Sequence, residues 1–183
     1  MRALGYDPHD VRDVVVTHLD RDHAGGLGDF PWARVHVHAR EHAAATSPAG
    51  ARRYVADQWA HEPQWQLYAD GGERWFDFDG VRPVDADASV LLVPLHGHTA
   101  GHAGVAVRRG EEWLLHAGDA YFHHRQVGND GGCPPLLGMF QRRFDHDRRL
   151  RIATQATLRA LNRSSAGVHM MCAHDAVELA RMR

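Results

Sequence analysis

The apolar positions of this chain fall into short runs rather than long stripes. Val14, Val15, Val16 and Thr17 form an unbroken β-branched stretch, which predicts a buried strand. The apolar run over 90–95 predicts another buried strand, and Arg34–His38 alternates in the manner of a strand. The segments 103–107 and 113–116 flank Arg109 and Gly110 and predict a hairpin, and 168–172 predicts a last strand. Helical signals are fewer. Asp7 followed by Pro8 predicts an N-cap and a proline at the first helical position, opening a short helix to about residue 13. Segments 40–45 and 52–59 are predicted helices. The longest amphipathic helix is predicted over 147–162, with Leu150, Ala153, Leu158 and Leu161 near helical spacing, and a short helix closes the chain. Between 59 and 78 the texture changes. Trp59, Trp65, Trp75, Tyr68, Phe76 and Phe78 stand among polar residues and glycines, which predicts either core packing or a lid beside a substrate pocket.

The runs beginning at Val14, Val90, Trp113 and Val168 share one property: each leads directly into histidine or aspartate. Their sequels are HLDRDHAGG, HGHTAGH, HAGDA and AHD. Rigid strands that deliver polar side chains into loops at one end are a common way to build a site. The spacing therefore predicts one constellation from four distant segments.

Composition narrows the chemistry. A chain of 183 residues without repeat, low-complexity tract or linker suits a single domain over 1–183. Its apolar runs are too short to span a bilayer, and its start lacks the layout of a secretory signal, so a cytoplasmic protein is expected. All 21 basic residues are arginine, which excludes a Schiff-base lysine and a P-loop lysine. A net charge of -2 argues against nucleic acid as a partner. The two cysteines, Cys133 and Cys172, lack metal-type spacing and are expected to be reduced and structural. Histidine, at 16 copies, is the outlier.

Within six residues, His18, Asp20, Asp22 and His23 offer four ligands, and Gly25 and Gly26 follow. With His98, Asp119 and His174 they make a nitrogen and oxygen donor set suited to zinc, iron or manganese, and not a thiolate-rich structural site. A carboxylate such as Asp119 can place one oxygen on each of two ions. Two ions about 3.5–4 Å apart lower the pKa of a shared water toward neutrality, giving a hydroxide nucleophile.

In their order along the chain, THLDRDHAGG, PLHGHTAGH, HAGDA and CAHD resemble the four metal motifs of the metallo-β-lactamase superfamily. The resemblance implies an αββα sandwich with the site at one edge between two sheets. It implies one metal at His18, position 20 and His98, another at Asp22, His23 and His174, and Asp119 bridging them. It also implies two divalent ions, zinc first, with iron or manganese as alternatives.

Two departures qualify this. Position 20 is Asp where the familiar HxHxDH motif has His, as in flavodiiron proteins, which bind iron. Asp20 is expected to coordinate; the alternative is that it pairs with Arg21 or another arginine. Only 17 residues precede His18, where the family has further strands, so the chain is expected to lack its first N-terminal strands. The native product then begins upstream, or the exposed sheet pairs in a homodimer.

Other residues are read as neighbours. His102 is expected to pack or support a ligand, Thr99 to orient one, His96 to lie in a loop and His116 to be a satisfied buried histidine. One of Tyr121, His123 and His124 could donate a proton or hydrogen bond to substrate, as tyrosine does in some lactonases of the superfamily. His36, His38, His42, His61 and His146 are read as surface. The function that the resemblance implies is hydrolysis of an ester-like bond in a small molecule, a lactone, thioester or related acyl compound. Asp22 and Asp119 would act with the metals, and Tyr121 is the third catalytic candidate. Two alternatives stay open: a di-iron redox protein of the flavodiiron type, and a non-catalytic metal-binding domain.

Overall fold

The computed structural model describes residues 1–129, 131–164 and 167–182. Its strands form two sheets. In the smaller, β1 (Asp13–Val15), β2 (Arg34–His38) and β3 (Gln64–Tyr68) lie in that order and all run parallel. The larger sheet follows chain order: β4 (Glu73–Trp75), β5 (Phe78–Pro83), β6 (Val90–Pro94), β7 (Ala103–Arg109), β8 (Glu112–His116) and β9 (Val168–Met171). Its neighbours are antiparallel except β8 and β9, which are parallel. The helices are α1 (Arg21–Ala24), α2 (Ala39–Thr46), α3 (Pro135–Phe144), α4 (Arg148–Arg163) and α5 (Ala176–Arg181).

This topology is what gathers the site. A parallel pair needs a long crossover, which α3 and α4 provide between β8 and β9. Strands β6, β8 and β9 therefore run the same way, and their carboxyl ends meet at one edge. The smaller sheet joins that edge where the Ala103 amide donates to the Thr17 carbonyl at 2.9 Å.

Two apolar cores hold the layers. Alternation along β2 sends Val35 and Val37 against Val16, Leu19 and Ala45, the last from α2. On the larger sheet, Leu91, Val93, Leu95, Leu115 and Met170 pack with Leu158 and Leu161 of α4. Asp147 caps α4, accepting from the amides of Arg149 and Leu150.

Six strands follow the pattern of the sequence, but β3, β4 and β5 form in and just after the aromatic stretch, where no strand was expected, and the helices depart from the pattern as well. The expected helix after Asp7 is a single 3-10 turn, Pro8–Asp10. The expected helix over 52–59 is broken into the 3-10 turns Gly50–Arg52 and Ala56–Trp59. Between them the chain opens so that Arg53 reaches Asp20 and Tyr54 enters the smaller core. No helix was expected at α3, whose apolar side chains Leu136, Met139 and Phe140 are largely exposed. The aromatic stretch proves to be packing. Trp59 and Trp65 lean on the smaller core, Trp75 and Phe78 on the larger, and none lines the main cleft. Among the described residues no helix is long and apolar enough to cross a membrane.

Candidate metal centre

The HLDRDH segment leaves β1 and turns at once into α1, a single helical turn that throws Asp22 and His23 to the same region as His18 and Asp20. Two triads result. Ligand atoms of His18, Asp20 and His98 lie within 4.8 Å of one another, and so do those of Asp22, His23 and His174. Asp119 stands between them and divides its oxygens. Its Oδ1 lies 3.3 Å from the Nε2 of both His23 and His174, while Oδ2 lies 3.4 Å from His98 Nε2 and 3.9 Å from His18 Nε2. All seven residues expected from the sequence are thus brought together.

The donors fit bound metal cations. Among the described residues, His18 Nε2, His23 Nε2 and Asp119 Oδ1 are buried without a hydrogen-bond partner. Three orphaned buried acceptors aimed at common points are costly unless a cation or proton satisfies them. Burial alone would raise the Asp119 carboxyl, but the rings of His174 and His23 outweigh it and hold the group well below the usual carboxylate range. Asp119 in turn raises the pKa of His174, despite partial burial.

The supporting residues are as telling as the ligands. His102 is fully buried. The Asp119 amide donates to its Nε2 at 2.9 Å, so its Nδ1 carries the proton and donates to the Leu95 carbonyl, also at 2.9 Å. That ring fixes the backbone of the bridging aspartate, as expected of a supporting residue. Gly118 has φ +53°, and a Cβ there would sit 2.7 Å from His102 Nε2, so only glycine lets the two approach. Thr17 Oγ1 lies 2.9 Å from His18 Nδ1, leaving Nε2 to face the centre.

Glu41, on α2, was not singled out from the sequence. It is fully buried and accepts from the Leu19 amide at 3.0 Å, the Gly101 amide at 3.0 Å and the Thr99 hydroxyl at 2.5 Å. One carboxylate ties the first motif to the second. Thr99 therefore supports the loop and is not turned to a ligand. Nothing in the local sequence marks Glu41, since its partners are 22 to 60 positions away.

The other residue missed is Arg53. Its Nε donates to Asp20 Oδ1 at 2.6 Å and its Nη2 to Oδ2 at 2.5 Å, a bidentate pair, and Nη2 is also 3.2 Å from His98 Nε2. Burial would raise the Asp20 carboxyl, but Arg53, with His18 and His98, holds it far below its ordinary range. Asp20 pairs with an arginine, as the alternative reading had it, yet it does not point away: Oδ2 faces His98 at 3.1 Å and His18 at 3.5 Å.

Tyr121 requires correction. Its ring is fully buried in the larger core, and its hydroxyl donates to the Glu178 carboxylate at 3.0 and 3.1 Å. It does not line the cleft and is not placed to meet a substrate. His124 turns to Asp175, with Nδ1 at 2.7 Å, and His123 caps the following turn; neither lines the main cleft. His116 is only half-buried and belongs to neither triad. His36 and His38, read as surface, are buried. His36 sits between Asp13 and the Tyr68 hydroxyl, each at 2.7 Å, and burial pushes the pKa of His38 down to about 4.

The centre floors a cleft of about 980 Å³. Phe122, Leu137, Phe140 and Phe144 give it an apolar wall, and Arg21, Arg52, Arg53 and Arg143 a basic one.

A family model for the metallo-beta-lactamase superfamily matches residues 1–164. A "Probable metallo-hydrolase" of Mycobacterium tuberculosis is 38% identical over 180 residues, 96% of this chain and 58% of that protein. An N-acyl homoserine lactonase of Agrobacterium fabrum is 33% identical over 111 residues, 59% of this chain and 40% of its own length. Among solved structures, B. thuringiensis AiiA with N-decanoyl-L-homoserine bound at its active site superposes with a TM-score of 0.73 at 20% identity, covering 100% of this chain and 63% of that one. AidC, a dizinc quorum-quenching lactonase, does so with a TM-score of 0.59 at 18% identity, covering 92% and 60%. At such identities the structural likeness shows the fold. The chain spans 58% of the length of the mycobacterial relative it matches. With the ordered motifs, the two sheets and the match to residues 1–164, this chain belongs to the metallo-β-lactamase superfamily.

Proposed function

We propose that the chain is a dinuclear metal-dependent hydrolase, with zinc as the first choice of metal. Its substrate in this reading is a small molecule with an ester-like bond: a lactone, thioester or related acyl compound. One observation carries the reading. Asp119 turns one oxygen to each triad, 3.3 Å from His23 and His174 and 3.4 Å from His98, on the floor of an open cleft. When bound, the ions would supply Lewis acidity and a nucleophile competent at neutral pH.

The chain's own residues account for the rest. Phe122, Leu137, Phe140 and Phe144 offer an apolar wall for an acyl chain. Water oxygen bonds to the acyl carbon, the bond to the leaving oxygen or sulfur breaks, and the water's proton ends on the leaving atom. Asp22 would carry that transfer in this reading, which its 62% exposure at the cleft and its Oδ2 3.6 Å from both His23 and His174 support. Names of the relatives support the acyl chemistry, since several are N-acyl homoserine lactonases. The di-iron alternative rested on the acidic residue at position 20, as in flavodiiron proteins, and here that residue is already paired with Arg53.

The experiment is metal analysis followed by a panel of acylated lactones, thioesters and aryl esters. Hydrolysis abolished by a chelator and restored by zinc is expected. A metal-loaded protein inert on all three classes would leave a metal-binding domain without catalysis, and iron with visible absorption would revive the redox reading.

A further inference from the structure

Resting on the metal reading above, we propose that Arg53 makes the two halves of the centre unequal. Its guanidinium competes with a cation at His18, Asp20 and His98. The chain therefore binds one divalent ion tightly through Asp22, His23, His174 and Asp119, and a second one weakly.

The competition is for particular lone pairs. Arg53 Nη2 lies 2.5 Å from Asp20 Oδ2, the same oxygen that faces His98 at 3.1 Å and His18 at 3.5 Å. The same nitrogen lies 3.2 Å from His98 Nε2. A carboxylate oxygen has lone pairs enough to serve two partners, but an imidazole nitrogen has one. His98 Nε2 can accept from Arg53, donate to Asp20 Oδ2 or coordinate an ion, but only one of these at a time. A cation entering there also meets a fixed positive charge on the atoms it must bind, in a half of the site where His18 and His98 are almost wholly buried.

The guanidinium is not free to drift aside. Its Nη1 donates to the Phe144 carbonyl at 2.6 Å, its Nε to Asp20 Oδ1 at 2.6 Å, and its side chain is 24% exposed. Among the described residues no arginine pairs with Asp22 or His174, and these are 62% and 41% exposed. That half is open to an ion from solvent and, among the described residues, no guanidinium stands on its ligands.

The test is zinc binding to chelator-stripped protein, followed by calorimetry and by the ¹⁵N resonances of the histidine rings. In the wild type, the first zinc should shift His23 and His174, and His98 should respond only at a second, weaker step. Arg53→Gln should tighten that second step by about tenfold or more, the opposite sense to the 10–100-fold loss expected if Arg53 only oriented a metal ligand. It should leave the first step nearly unchanged. His174→Ala should remove the tight step and leave the weak one. Should Arg53→Gln fail to fold, the wild-type ring resonances still decide the order of filling. Two ions taken up with equal affinity, or His98 shifting with the first ion, would overturn the proposal while leaving a dinuclear centre. An unchanged second step in a folded Arg53→Gln would overturn it too. No zinc uptake by either protein would overturn the metal reading itself, and this inference with it.

Discussion

The two halves of the centre share Asp119 and a similar donor set, yet they are built differently. His18, Asp20 and His98 lie deep, each held by other groups: Thr17 on His18, Arg53 on Asp20 and on His98. Asp22, His23 and His174 hang from α1 and from the turn after β9, nearer to solvent. The difference shows that a ligand's environment, as much as its identity, sets what it can bind. A buried carboxylate already paired with a guanidinium differs from one that waits in water.

The largest effect should follow from removing what the halves have in common. Asp119→Ala is expected to abolish turnover and release metal from both sides with the fold kept. The loss should exceed the roughly 100-fold that changes around a ligand produce. Metal content and kcat measured together check this, and near-native turnover would break the idea of a shared bridge.

Next come the supports. Glu41→Gln keeps the shape of a buried side chain that holds both motif loops through Leu19, Thr99 and Gly101, but weakens its acceptors. His102→Ala removes the acceptor for the Asp119 amide. Each should lower metal affinity or activity by about 10–100-fold. Glu41→Gln should act mainly on the buried half, because its loops carry His18 and His98. Equal weakening of both halves would show that α2 supports the whole centre.

Tyr121→Phe sharpens the contrast between site and core. The lost hydrogen bond to Glu178 should cost about 1–3 kcal/mol of stability, read as a lower denaturation midpoint, with kcat and KM unchanged. A selective fall in kcat would return Tyr121 to the reaction.

A third grouping, His38, Asp70 and His96, uses the same residue types but is a different case. Asp70 is half exposed and already pairs with Arg40 at 2.6 Å, and burial pushes His38 down to about 4. Because the folded pKa lies below the unfolded 6.5, the unfolded chain binds the proton first. The stability that a neutral His38 contributes is present above about pH 6.5 and is lost as pH falls toward 4. Acid titration of His38→Gln should remove one proton's share of that slope. This is the smallest of the expected effects.

Much of this centre was legible in the chain. Ligands reside at strand ends, and a strand end is a local event: a β-branched run, then a polar turn with glycine. Four such events in one sequence named His18, Asp20, Asp22, His23, His98, Asp119 and His174, and the structure brings all seven together. The strands 34–38, 90–94 and 168–171 were legible for the same reason, since alternation and β-branching report burial within a few residues. What the chain could not disclose is who stands behind each ligand. Glu41 and Arg53 reach residues 22 to 60 and 33 to 91 positions away, and no local pattern records such pairings. The burial of His36, the core position of Tyr121 and the outward face of α3 are likewise products of packing. Sequence determined which donors exist and that they converge, because each is set by its own strand. Tertiary structure alone decided that a guanidinium sits on one half and not the other, because charge pairing depends on neighbours in space.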